Sequence, residues 1–81
     1  MIRVRLFASL RELAGSGEVE LDAATVGEAA AKLSERLGPK FDQLMASGSV
    51  VVDGERVNAD RPLVDGDQVA FLPPVSGGDD E

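Results

Sequence analysis

Very few residues in this chain could do chemistry. The sequence holds no histidine and no cysteine, which removes the commonest general base, the commonest metal ligands and any thiol nucleophile. Gly15-Ser16-Gly17 begins like a dinucleotide fingerprint, but Glu20 stands where the third glycine belongs and no helix is expected to follow, so phosphate binding gains no support. Asp65-Gly66-Asp67 has the flavour of a calcium loop without its twelve-residue spacing or terminal Glu, and reads as a turn. The remaining carboxylates are scattered over expected turns and exposed helix positions, which gives a solvated surface rather than an acid-base pair. What is left is the end of the chain, FLPPVSGGDDE from Phe71 to Glu81. Pro73 and Pro74 remove two backbone donors and hold the chain extended, and Gly77-Gly78 has no side chains. So thin a segment can enter a narrow channel in another protein and present a backbone carboxyl group there. In the chain as it stands, however, Gly78 is amide-bonded to Asp79.

A globular body has to sit behind such a tail. With 81 residues there is room for one core only, burying about 60% of the surface the unfolded chain exposes. A net charge of −7 argues against nucleic acid as a partner, because affinity for phosphates rests on clustered Lys and Arg, and points to a basic protein partner instead. Arg3 and Arg5 interrupt the apolar N-terminal run, so it lacks the unbroken apolar region of a signal peptide. No stretch is long and apolar enough to span a bilayer. No membrane association and a cytoplasmic location are the expectations.

Taken in order, Ile2 to Ala8 alternates as a half-buried strand, with Ile2, Val4 and Leu6 on one face and Arg3, Arg5 and Phe7 on the other. Phe7 is then either an exposed aromatic beside the arginines or is covered by a local twist or loop. Arg11 to Gly15 reads as a connection, and Glu18 to Leu21 as a second strand. Thr25-Val26-Gly27-Glu28 has the form of a capping box in which Thr25 accepts from the Glu28 amide and Glu28 reaches back to the Thr25 amide. The helix that follows aligns Val26, Ala30, Leu33 and Leu37, places Glu28 four residues before Lys32, and stops at Gly38-Pro39. Phe41, Leu44 and Met45 suggest one further helical turn. Asp53-Gly54 between β-branched arms predicts a hairpin pairing Val50 with Val57 and Val51 with Arg56. Gln68 to Leu72 is a last strand, Val69 and Phe71 on one face, Ala70 and Leu72 on the other.

That order is β-β-α-β-β-β. First and last strands side by side and parallel in the middle of the sheet leave the fewest unpaired rims. The expected fold is α+β: a β-grasp (ubiquitin-like) domain over residues 1–75, a mixed sheet of about five strands with one main helix, and a flexible tail over 76–81. With LFASLRELAG (Leu6 to Gly15), Thr25-Val26, VVDGERV, the DGD turn and above all VAFLPPVSGG (Val69 to Gly78), the chain resembles the MoaD/ThiS sulfur-carrier family over nearly its whole length. The RELAG and Pro-Pro features are those of its molybdopterin-synthase branch rather than its thiamine branch.

The resemblance implies a carrier that is no enzyme by itself. In that family an E1-like (MoeB-like) adenylyltransferase activates the terminal glycine carboxylate with ATP, sulfur replaces AMP, and the thiocarboxylate donates sulfur within a large (MoaE-like) molybdopterin synthase subunit. No cofactor would be bound by the chain itself, ATP being consumed by the activating partner, and no metal. On this reading Gly78 carries the chemistry, Gly77 gives clearance, and Phe7, Arg11, Leu72, Pro73, Pro74 and Val75 meet the partner. Family members active as translated end at the second glycine, so either a processing protease first removes Asp79–Glu81, which is the reading favoured here, or the extension is a disordered acidic end and the carrier reading fails for this form of the chain. Carriers for cysteine, thiamine or tRNA thiolation and ubiquitin-like modifiers share this logic. The rival of another class is a β-grasp interaction module with an idle tail.

Overall fold

Five residues of strict alternation open the chain as β1 (Ile2–Leu6), with Ile2, Val4 and Leu6 buried and Arg3 and Arg5 exposed. The computed structural model describes residues 1–74. The expectations on Val75, Ser76, Gly77, Gly78 and Asp79–Glu81 lie outside them.

The segment read as a connection is a helix, α1 (Ala8–Ala14). Ala, Leu, Arg and Glu are strong helix formers, Leu10 is completely buried, and Gly15 closes the helix in the left-handed region at φ 75°, its N–H donating to the Arg11 carbonyl. The short helix exists because the core accepts Leu10 and the half-buried Leu13; seven residues alone would not hold a helix in water. β2 (Glu18–Leu21) then returns antiparallel to β1, pairing Val4 with Val19 and Arg5 with Glu18.

Helix α2 (Val26–Leu37) is capped by Thr25, whose hydroxyl accepts from the Glu28 N–H at 3.1 Å. The other half of the expected box is displaced by one residue: the Glu28 carboxylate accepts from the Ala24 N–H at 2.6 Å, not from Thr25. The loop is held across to Pro62 by the Val26 N–H donating to the Arg61 carbonyl and the Leu63 N–H donating to the Ala24 carbonyl, neither of which uses the Thr25 amide. The expected Glu28–Lys32 pair is not formed either, because the Lys32 ammonium donates to the Asp22 carbonyl. The buried stripe is Val26, Ala29 and Leu33, with Ala30 and Leu37 only half-buried.

At Gly38, φ 87° ends α2 and Pro39 starts α3 (Pro39–Met45) at its first position, where a missing N–H costs nothing. Phe41 plugs the core, its ring tilted 45° against Phe71 at 5.8 Å between centroids. β3 (Ser49–Val52) and β4 (Glu55–Val57) form the expected hairpin, with Val50 opposite Val57 and Val51 opposite Arg56. Asp53 at φ 51° and Gly54 at φ 87° give the turn that Asp-Gly favours.

The last strand, β5 (Gln68–Leu72), lies between β1 and β3, parallel to the first and antiparallel to the second, in the sheet order β2-β1-β5-β3-β4. One face of this sheet is covered by the three helices over a core that includes Val4, Leu6, Leu33, Phe41, Val69 and Phe71. That is the β-grasp arrangement, with two short helices beside the main one. Among the described residues no helix is long and apolar enough to cross a membrane.

Candidate functional site

β5 ends in the middle of the sheet, and the neighbouring strands decide where it stops. Phe71 is fully buried and anchors the end of β5. Leu72 is paired with Ser49 on β3. Pro73 is half-buried and Pro74 exposed. A close approach fixes the exit: a Cβ on Gly48 would lie 2.6 Å from the Leu72 carbonyl oxygen and 3.0 Å from Met45 Sδ, so only a residue without a side chain lets β5 end where it does. Sequence reasoning passed over Gly48 because it reads as one more small residue in a Ser-Gly-Ser loop.

The sheet's uncovered face surrounds this exit. Extending the parallel register Leu6↔Phe71 brings Phe7 beside Leu72. Phe7 is 40% exposed, which decides between the two readings of this residue in favour of an open aromatic. The turn from β1 into α1 holds it at the corner, with Ala8 at φ 51°, a left-handed conformation costing an alanine about 1 kcal/mol. Arg5 reaches over the Phe7 ring, its guanidinium carbon 5.9 Å from the centroid, inside the range of a cation–π contact.

One step further from the exit, the register sets Arg5, Ala70, Val51 and Arg56 in a single row across four strands. Val51, Ala70 and Leu72 are half-buried and take no part in the core. They form with Phe7 an apolar strip bracketed by arginines. Arg3, next on β1, is tied to Glu18 at 2.6 Å and more loosely to Glu20 at 3.8 Å. Arg5 has no carboxylate within 4.0 Å among the described residues, and Arg56 donates only to the Ser49 hydroxyl, at 2.9 Å. An acidic chain thus keeps a basic and apolar patch beside its tail, so that the complementary partner surface here is apolar and acidic rather than basic.

Of the residues expected to meet a partner, Phe7, Leu72 and Pro73 come together at this corner with Pro74 just beyond. Arg11 does not join them. It stands on α1 and lines a separate groove with Glu12, Ser16 and Gly17, its side chain lying against Gly17. Val75, Gly77 and Gly78 are outside the described residues. Among those described, no cluster of carboxylates could hold a metal ion, and no carboxylate is buried.

The perturbed ionisable groups sit at the opposite end of the sheet. The Met1 ammonium is held above the ordinary α-amino value by its hydrogen bond to Asp65, with Asp22 adding attraction, and Asp65 is held below the usual carboxylate range by the same contact. This pair is fully exposed and remote from the tail.

The ThiS family model matches residues 4–78, from β1 through the Gly-Gly. The molybdopterin synthase sulfur carrier subunit of Escherichia coli is 40% identical, over 96% of this chain and all of its own. The solution structure of small archaeal modifier protein 1 from Methanosarcina acetivorans superposes with a TM-score of 0.84 at 27% identity, covering 95% of each chain. A chain in the complex of subunits 1 and 2 of the molybdopterin-converting factor from Helicobacter pylori superposes with a TM-score of 0.70 at 28% identity, covering 95% of this chain and 97% of its own. A β-grasp sheet that ends on a central strand before Pro-Pro and Gly-Gly, together with these matches along its whole length, places the chain in the ThiS family as a sulfur carrier of the MoaD/ThiS type.

Proposed function

We propose that this chain, once trimmed to end at Gly78, is the cytoplasmic small subunit of a molybdopterin synthase and carries sulfur as a thiocarboxylate on Gly78. A carboxylate is a poor electrophile. The E1-like partner joins it to AMP from ATP, releasing pyrophosphate; a sulfur donor then displaces AMP and leaves the thiocarboxylate. The large subunit takes that sulfur for the dithiolene, and water restores the carboxylate. None of this requires a histidine, a cysteine or a metal on the carrier, consistent with a sequence that holds no histidine or cysteine. The carrier's own contribution is position: β5 is pinned between β1 and β3, the exit is fixed under Gly48, and the Phe7–Leu72 corner docks the partner so that a thin tail reaches its centre.

The single observation that carries this reading is the union of the β5 exit with a Gly-Gly to which the family match extends. Support for the molybdopterin branch comes from the name of the Escherichia coli relative and from the two-subunit complex of the Helicobacter pylori neighbour. The acidic extension must be removed first, because Gly78 is amide-bonded to Asp79 and so has no free carboxylate to activate. Forcing Asp79 and Asp80 into a dry adenylation site would also cost on the order of several kcal/mol for each unpaired charge.

The test gives purified E1-like enzyme, ATP and a sulfur source to the 81-residue chain and to a chain ending at Gly78, with no protease present. Intact mass should show one sulfur-for-oxygen exchange in the short chain alone. Exchange in both, or in neither, refutes the proposal. The similarity to an archaeal modifier protein favours a second reading, a tag joined to lysines; the same reaction supplemented with cell protein would then yield isopeptide adducts in place of the thiocarboxylate.

A further inference from the structure

We propose that Arg5 and Arg56 determine which partner docks on the uncovered sheet face: the large subunit, presenting two carboxylates about 14 Å apart on either side of an apolar centre. This rests on the carrier reading above. It adds what the apolar strip alone does not supply, a means of telling partners apart.

The charges of the face leave these two arginines over. Arg3 is held by Glu18 and Glu20. Glu55 reaches Arg61 at 3.8 Å. Asp53 accepts from the Gln68 N–H at 3.5 Å, and Gln68 pairs with Arg3, two residues further from the end of β5 than the Arg5–Ala70 pair. Arg5 and Arg56 are exposed and have no carboxylate within 4.0 Å among the described residues.

Geometry then makes a pair of them. Arg5, Ala70, Val51 and Arg56 share one row, so the two arginine Cα atoms stand three strand spacings apart, about 14 Å. The next row toward the end of β5 sets Leu72 beside Ser49 and, with the parallel register extended, beside Phe7 on the other side. Both guanidiniums lean into that row: Arg5 over the Phe7 ring at 5.9 Å, Arg56 donating to the Ser49 hydroxyl at 2.9 Å. The end of β5 is therefore flanked by one oriented cation on each side. Next to Arg5 a hollow of about 290 Å³ opens over Val51 and Ala70, a seat for an apolar side chain of the partner.

A partner apolar throughout would take two cations out of water without a counter-charge, a penalty that falls on the wrong partner alone. Carboxylates placed opposite them form charge-assisted bonds, which the guanidinium fork can make in pairs. The rest of this chain, with its net charge of −7, repels the same acidic partner and so favours approach through this face. A second copy docked face to face would set arginine against arginine by symmetry, whereas the Helicobacter pylori neighbour is found in a complex of two different subunits.

The experiment follows binding kinetics with the purified large subunit from the same source. It compares the parent with Arg5→Gln/Arg56→Gln, Arg5→Glu/Arg56→Glu and Arg5→Lys/Arg56→Lys, while Arg36→Gln/Lys40→Gln removes the same charge from the helix side. Each is made in the 81-residue chain and in the chain ending at Gly78, and rates are read in the form that binds faster. At about 0.01 M salt, where the Debye length is about 30 Å, neutralisation should slow association about tenfold and reversal about a hundredfold. The lysine variant should stay within about threefold of the parent and the helix-side control within about twofold. These differences should collapse at about 1 M salt, where the Debye length is about 3 Å, and melting temperatures should not move. Reversal that leaves association unchanged overturns the proposal, and so does a helix-side control that slows it equally. A parent that does not bind the large subunit overturns it too, as does an effect seen only with the E1-like enzyme. Self-association of the parent, lost on neutralisation, would give the face to a second copy and overturn it as well. Sulfur transfer is not read here, so the two readings fail separately: arginine-dependent docking without sulfur exchange removes the carrier reading, and exchange with arginine-independent docking removes this inference.

Discussion

Replacing Gly48 with Ala tests whether the tail exit is fixed by the close approach of two backbones. The added Cβ would sit 2.6 Å from the Leu72 carbonyl oxygen, and that separation must grow by 0.4 Å to reach the shortest that real contacts show and by 0.8 Å to become ordinary. Met45 Sδ, at 3.0 Å, ends a flexible side chain and can move aside. The carbonyl belongs to a strand paired with Ser49 and cannot. Overpacking of this kind costs about 1–3 kcal/mol, offset by roughly 0.4–1 kcal/mol from the smaller entropy of an unfolded chain with Ala in place of Gly. The net loss of about 0.5–2 kcal/mol corresponds, for a domain of this size, to a fall in Tm of roughly 2–16 °C. Gly17→Ala is the control, because its Cβ would meet only the Arg11 side chain, at 3.4 Å or more, and it should leave Tm unchanged or slightly raised. Thermal unfolding measures the cost, and the Leu72 and Ser49 amide shifts locate it. With partner enzymes, Gly48→Ala in the chain ending at Gly78 should lower the rate of adenylation more than it raises KM, since the docking corner survives while the carboxyl group is re-aimed. A Gly48→Ala protein as stable as the parent, with unmoved Leu72 shifts, would refute the argument.

Phe7→Ala and Leu72→Ala should weaken association with the large subunit at least tenfold while lowering stability by about 1 kcal/mol or less, against about 3–5 kcal/mol for a core ring such as Phe71; calorimetry and thermal unfolding read the two separately, and the reverse pattern would make them core residues. Gly77→Val should abolish sulfur transfer with docking intact, because a β-branched side chain widens and stiffens the tail; normal turnover would mean that no narrow channel is entered. The Met1–Asp65 contact should give a stability contribution confined to intermediate pH. Its carboxylate side is lost as pH falls through the lowered Asp65 value, and its ammonium side as pH rises through the raised Met1 value. An NMR titration of the Ile2 amide should show the amine returning to its ordinary value in Asp65→Asn.

The sequence by itself determined the parts of this protein that depend on short-range order. The alternation of Ile2, Val4 and Leu6, the Thr25 cap, the Asp53-Gly54 turn with its Val50–Val57 register and the Gly38-Pro39 stop all follow from residue spacing. The parallel pairing of β1 with β5 followed from the need to leave few open edges. So did the exit of the tail from the middle of the sheet, and the whole-chain resemblance then pointed to its use. Helix α1 was hidden, although Leu10, Leu13 and the closing Gly15 carry a weak signal, because seven residues form a helix only when a core accepts their apolar face. Likewise Glu28 finds the Ala24 amide rather than that of Thr25, in a loop whose backbone is held across to Pro62, a contact spanning 37 positions. Tertiary structure alone decided that Phe7 stays open with Arg5 over its ring, that Arg3 rather than Arg5 is neutralised by Glu18, and that Gly48 lies against Leu72. Each is a meeting of residues on different strands or loops, fixed by how the sheet twists and which neighbours compete for one charge. Spacing along the chain holds no record of that competition.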